Sequence, residues 1–586
     1  MLMNPIRCFL HTVRPLLAAA LAAGFLGTGA LKAEPSGGPY GPVQLHYDVP
    51  AAKHVYYVAP DGDAKQTGTA LEQPTTLPAA IERVVTGDAI ILRGGTYRVG
   101  GLQLNQGITL QPYADERPIL KGTEVASAWE AQPNGLWRTS WKKLYPAKPA
   151  DWWRRQRHGR ETPLYLFNND MVFIDGVLLN AVGLESQIDE KSYYIDYETG
   201  QIYLGVDPTN RLVEITAHDS ALVRTTEDVH GRKNDHQGPA MRGLTFTQYA
   251  YRALEVQGTE PQKLSDPSTF GKEVVGTLLE NVTISYCSRV AGYFRGDKLV
   301  IRNCLVSDTG TEGIYIIDSA DVLLEKNIVT RTNVEKITGY FASAVKIFNQ
   351  SYRVTCRDNL IIDNPQASGI WYDVGNVDGV FVNNRVERTN DGFFFEISKG
   401  AICAGNVFVN CNRGIRILNS SNVQIYQNTF FNSVASIERT ERSAVGDHFG
   451  WHPSTGPDVT ERHGHVFVNN LMVADETFDG PLLFFGQSAA VRDRLKEPQV
   501  KELDENVYVR HAGTTPQPLL VWSPVQNEKG MIDITALEAL RQINPKFEAK
   551  GGACPDYRGP LFKSEYLANF ELLATIPAAN AGVTLP

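Results

Sequence analysis

In residues 358–409, "DNLIIDNPQASGIWYDVGNVDGVFVNNRVERTNDGFFFEISKGAICAGNVFV", an asparagine followed by a short strand-like run recurs at Asn359, Asn384 and Asn406. The unit extends outward to Asn327, Asn303 and Asn281 on one side and Asn428 on the other, in steps of 22, 24, 32, 25, 22 and 22 residues from Asn281 onward. Short β runs punctuated by Gly, Asn and Asp at this period predict an all-β chain wound as a right-handed parallel β-helix, a single-stranded solenoid. Stacked coils place equivalent asparagines above one another, so their amides can bond along the stack as in other polar ladders. A leucine-rich repeat has a similar period but asks for a leucine consensus, which is absent.

Around this core the period breaks in interpretable places. Residues 34–121 read as an N-terminal cap and first coils, with "LPAAIERVV" (77–85) as a short helix covering the open end, since an uncovered solenoid end presents unpaired β edges. Residues 122–235 lose the repeat, are rich in Trp and Tyr, and read as an inserted β subdomain. The core runs over 236–480, and 481–586 hold C-terminal coils and a cap with a helix at "DITALEALRQI". Residues 1–33 have a secretory signal pattern: Arg7 and Arg14 precede an apolar run, Leu16 to Leu26, too short to span a bilayer. A secreted or periplasmic protein without a membrane span is expected. The net charge of −9, with Lys and Arg scattered, argues against a nucleic-acid partner. Seven cysteines without metal-type spacing read mostly as small buried hydrophobes.

Five coils align on strands starting at Gly313, Ala344, Gly369, Gly392 and Gly414. One and three residues further on, every side chain is apolar or aromatic, from Ile314 and Ile316 to Ile415 and Ile417. Alternation sends these inward. The intervening outward columns read Tyr315, Lys346, Trp371, Phe394, Arg416 and Ile317, Phe348, Asp373, Glu396, Leu418. A shift of one residue would expose the hydrophobes and bury the charges inside the coil, which fixes the register. Asp373 and Glu396 are then neighbours on adjacent coils, roughly 5 Å apart. That is the separation of retaining rather than inverting glycosidases. Two like charges at this distance interact by roughly 3 kcal/mol at an effective dielectric of 20, so their titrations should couple.

The strands "GIWYDV" and "FFFEIS", 23 residues apart, resemble those of the parallel β-helix glycoside hydrolases that include retaining β-xylosidases, within the pectate-lyase-like superfamily. The resemblance implies Asp373 as nucleophile, Glu396 as general acid/base and a carbohydrate substrate, expected here as a plant- or algal-type oligo- or polysaccharide. Trp371, Phe394 and Tyr315 are candidate stacking surfaces for sugar rings, and Lys346 and Arg416 candidate substrate contacts. The insertions at 334–343 and around "GDHFGWH" flank these strands, and His448 and His452 of the latter read as substrate-contacting or structural; no metal site or cofactor is expected on the hydrolase reading. Two alternatives stay open. One is a calcium-dependent polysaccharide lyase with Lys346 or Arg416 as base, although calcium asks for six to eight oxygens. The other is a non-catalytic polysaccharide-binding β-helix.

Overall fold

Strands of three to six residues succeed one another around the solenoid, and each pairs in parallel with the strand one coil further on. The structure, a computed structural model, describes residues 35–146, 156–157, 159–261, 265–337, 341–442, 461–513, 517–565 and 569–573. Within these, the coils build three sheets of 13 strands each, so the chain is a parallel β-helix. One sheet carries, side by side, β1 (Val290–Arg295), β2 (Ile314–Ile317), β3 (Ser343–Phe348), β4 (Ser368–Asp373), β5 (Asp391–Glu396), β6 (Arg413–Leu418) and β7 (Val434–Arg439). The expected interior positions of β2 to β6 are at most 1% exposed. Burial of large side chains stabilises by about 1.5–3 kcal/mol each. At the start of β5 a Cβ on Gly392 would lie 2.5 Å from the Gly414 carbonyl and 2.8 Å from the Phe408 ring, so this corner admits only glycine.

The asparagine ladder is a continuous hydrogen-bonded column. Asn327, Asn359, Asn384, Asn406, Asn428, Asn470 and Asn506 each follow the last through a backbone N–H donated to the next Oδ1, at 2.8–3.1 Å. Asn281 and Asn303 stand one residue out of phase: Cys304 holds the ladder position and donates its N–H to Asn327 Oδ1. Both instead occupy left-handed turns, at φ 54° and 49°, and tie down the N-terminal segment, Asn281 by accepting from Val43 N–H and Asn303 by donating to Gly41 O. At the far end Glu548 takes the next amide's place, accepting from Asn506 Nδ2 at 2.7 Å.

This column should be costly to interrupt. Asn384→Ala removes the acceptor of Asn359 N–H and the donor to Cys356 O, both inside the coil. Two orphaned buried groups at about 1–3 kcal/mol each predict a loss of roughly 2–6 kcal/mol, to be measured by denaturant unfolding. A loss below about 1 kcal/mol would show that the ladder relaxes around the gap.

Residues 123–216 leave the solenoid and, among the described residues, form a four-stranded and a five-stranded sheet, mostly antiparallel, and a two-stranded pair at Gln156–Arg157 and Arg160–Glu161; the two larger sheets share a core that includes Val172, Ile174, Ile202, Leu204, Val213 and Ile215. Fully buried Glu214 anchors them, accepting from Arg98 Nη2 at 2.6 Å and Lys121 Nζ at 2.8 Å on solenoid strands. The solenoid resumes at Leu222–Arg224, which pairs with Leu102–Leu104 and Arg252–Val256. The return precedes the expected boundary at 235 because a three-residue strand is too short to show a period. Helix α1 (Leu77–Ile81) is capped by Thr76 and packs Leu77, Ala80 and Ile81 into the end of the core; it is shorter than the expected 77–85. Helix α2 (Leu537–Ile543) buries Leu537 and Leu540 at the other end. Among the described residues no helix is long and apolar enough to cross a membrane, and no disulfide forms. The proposed signal segment lies outside the described residues.

Candidate active site

β3 to β6 place the outward side chains in the expected columns. Lys346 pairs in register with Trp371, Trp371 with Phe394 and Phe394 with Arg416. In the next column Phe348 pairs with Asp373, Asp373 with Glu396 and Glu396 with Leu418. Neighbouring strands are about 4.8 Å apart, so the two acids face the same space from adjacent rungs. Each is followed at once by a β-branched residue in the left-handed region, Val374 at φ 54° and Ile397 at φ 44°. Such conformations cost about 1–3 kcal/mol each and persist only where packing over-determines them. Here the two side chains are fully buried against each other, which pins the strand ends that carry the acids.

Outward does not mean exposed. Asp373 is 6% and Glu396 1% exposed. Each acid commits one oxygen to a cation: Asp373 Oδ2 forms an ion pair with Lys346 Nζ at 3.0 Å, and Glu396 Oε1 accepts from Arg442 Nη1. The remaining oxygens, Asp373 Oδ1 and Glu396 Oε2, are buried without a hydrogen-bond partner among the described residues. Burial first, and then the charge of Asp373, push Glu396 up to about 7, against the opposing pull of Arg442, Arg416 and Lys346.

The aromatic column is closed on itself. Trp371 and Phe394 stack with centroids 4.6 Å apart at 19°. Lys346 Nζ lies 3.8 Å from the Trp371 centroid, and Arg416 Cζ 4.6 Å from that of Phe394. The four side chains form a cation–ring–ring–cation pile, so neither ring has a free face for a sugar to stack on. Phe341, from the insertion after Asn327, sets its ring edge-on to Trp371 at 6.0 Å. Trp371 Nε1 is a buried donor without a partner among the described residues. Tyr315 lies apart from the acids, packed between Tyr293 and Phe348 at 5.3 and 6.1 Å, in an apolar cluster with Val290 and Ile317. Arg416 Nη1 lies 3.5 Å from Asp391 and Arg416 Nε 3.7 Å from Glu438.

Two residues escape the column reading. Arg442 begins the long insertion, and the only sequence signal for it was a cation at the head of a loop flanking the acids. Glu312, at the foot of β2, is 1% exposed with Oε2 unpartnered. Burial raises its pKa while Lys346 opposes that shift. His448 and His452 lie outside the described residues. Asn376, three residues after Asp373, is turned inward, accepting from Ser351 N–H and donating to Ile347 O, and so offers the acids no further oxygen. Among the described residues no three His, Cys, Asp or Glu side chains gather as metal ligands would.

The family model described as "Right handed beta helix region" matches residues 270–430, the part of the chain that holds β2 to β6. Among solved structures, XylC in complex with xylose is 14% identical, with a TM-score of 0.50 over 79% of this chain and 84% of that one. A structure described as a glycoside hydrolase is 11% identical at 0.43, over 75% of this chain and 98% of that one. The GH136 lacto-N-biosidase from Eubacterium ramulus is 11% identical at 0.40, over 86% and 68%. At these identities the likeness concerns the fold, a right-handed β-helix. A comparison with curated proteins gives no match.

Proposed function

We propose that the chain is a carbohydrate-active enzyme and, more finely, a retaining glycoside hydrolase with Asp373 as nucleophile and Glu396 as general acid/base. The observation that carries this reading is the pair of buried acids on adjacent rungs, each with one oxygen held by a cation and the other bare. Lys346 holds Asp373 Oδ2 at 3.0 Å, and Glu396, pushed up to about 7, holds a proton near neutrality. In the first step Asp373 Oδ1 attacks the anomeric carbon as the glycosidic bond breaks, and the proton of Glu396 passes to the leaving oxygen. In the second, Glu396 takes a proton from water, whose oxygen displaces Asp373 from the anomeric carbon. XylC, which shares the fold, was solved with xylose, and this supports a sugar as ligand.

The lyase alternative is disfavoured by the same contacts. A lyase base must be free to reach the proton it removes, but Lys346 Nζ is paired with Asp373 Oδ2 at 3.0 Å and lies 3.8 Å from the Trp371 ring centroid. NMR of the first-formed sugar, released from a panel of aryl glycosides and glycans, tests the proposal. A product with the substrate's anomeric configuration is expected. Inversion would remove Asp373 as nucleophile, and unsaturated uronate products would replace hydrolysis with elimination.

A further inference from the structure

Glu396 has one carboxylate oxygen held by a residue from outside its sheet. Glu396 faces Asp373 on β4, Lys346 on β3, Arg416 on β6 and Arg442 beyond β7. Of the three cations, Arg442 alone bonds it, through Oε1. Its stem is fixed independently of that bond: Thr440 N–H donates to Asn419 Oδ1 at 2.7 Å, Asn419 Nδ2 donates to Thr440 Oγ1 at 2.9 Å, and Arg462 Nη1 donates to Thr440 O. Arg442 N–H in turn donates to Thr440 Oγ1 at 3.3 Å. Neighbouring Arg439 is buried, donating to Gln487 Oε1 and to the carbonyls of Leu495 and Glu497. The guanidinium is therefore delivered to Glu396 by a braced turn.

We propose that Arg442 is a positioning residue for Glu396: it holds Oε1 so that Oε2 alone meets the leaving group, and its charge decides at which pH Glu396 gives up its proton. The proposal rests on Glu396 being the acid/base. Asp373 and burial favour the protonated carboxyl, and Arg442 is the nearest opposing charge. An opposite charge within hydrogen-bond range moves a carboxyl by about 1–3 pH units, so Arg442 keeps Glu396 able to act as a base in the second step.

The test reads Glu396 directly. The infrared carboxyl band that disappears in Glu396→Gln is titrated in the wild type, Arg442→Gln and Arg442→Lys. Arg442 is one-third exposed, so its variants should fold, and thermal unfolding checks that they do. The midpoint is expected to rise by about one pH unit or more in Arg442→Gln and to stay near the wild-type value in Arg442→Lys. An unmoved midpoint in Arg442→Gln overturns the proposal. The alkaline limb of the pH–rate profile provides the second readout. If the infrared midpoint moves and the limb does not, Arg442 controls Glu396 as proposed, and it is the acid/base role of Glu396 that fails.

Discussion

Asp373→Ala will lower turnover by at least about 10⁴-fold, and added azide will restore part of it. Among the described residues Asp373 supplies the bare oxygen on the rung next to Glu396, and the register leaves no second carboxylate in that column: the neighbour of Glu396 on the other side is Leu418. Removing the side chain opens space for a small anion, with Lys346 still held over Trp371 to attract it. Azide attacking there makes a single displacement, so the glycosyl azide must have the anomeric configuration opposite to the substrate's. That stereochemistry distinguishes a lost nucleophile from a damaged site. More than a tenth of wild-type turnover in a folded Asp373→Ala protein would end the assignment, and so would an azide product of the substrate's own configuration.

The columns were legible because a one-residue slip in a strand exchanges its two faces, and ten apolar side chains against four charged ones leave a single acceptable register. The structure reproduces that register at every pair from Lys346–Trp371 to Glu396–Leu418. Alternation tells in from out; it does not tell what covers the outside. Trp371 and Phe394 therefore read as sugar platforms, whereas Lys346, Arg416 and Phe341 occupy or edge them. Phe341 and Arg442 reach the site from insertions, whose paths no period describes. The phase error at Asn281 and Asn303 has a related cause. Asparagine suits both the left-handed turn position and the ladder position that follows it, so in the first coils the motif marked the turn and in the later ones the ladder.

Glu396→Gln should separate chemistry from stability, with opposite signs. Turnover of glycans, whose leaving oxygen needs a proton, is expected to fall by about 10²–10⁴-fold, while aryl glycosides with acidic leaving groups should lose far less in the first step. An equal loss on both would mean that Glu396 supports the site without delivering the proton. Stability follows from the same burial. Glu396 titrates near 7 in the fold against an ordinary 4.5, so between these values the native state binds more protons than the unfolded chain. The wild type therefore loses stability as pH rises through this window, by on the order of 3 kcal/mol at most. A glutamine has nothing to ionise and escapes that loss, although Arg442 forfeits its charged partner. The pull of Arg442 on the ionised carboxylate is already contained in that titration point, so it adds no separate pH dependence. The melting temperature of Glu396→Gln relative to wild type should thus climb from about pH 5 to about pH 8. A flat difference would mean that Arg442, Lys346 and Arg416 together already hold Glu396 ionised, leaving the acid step without its proton.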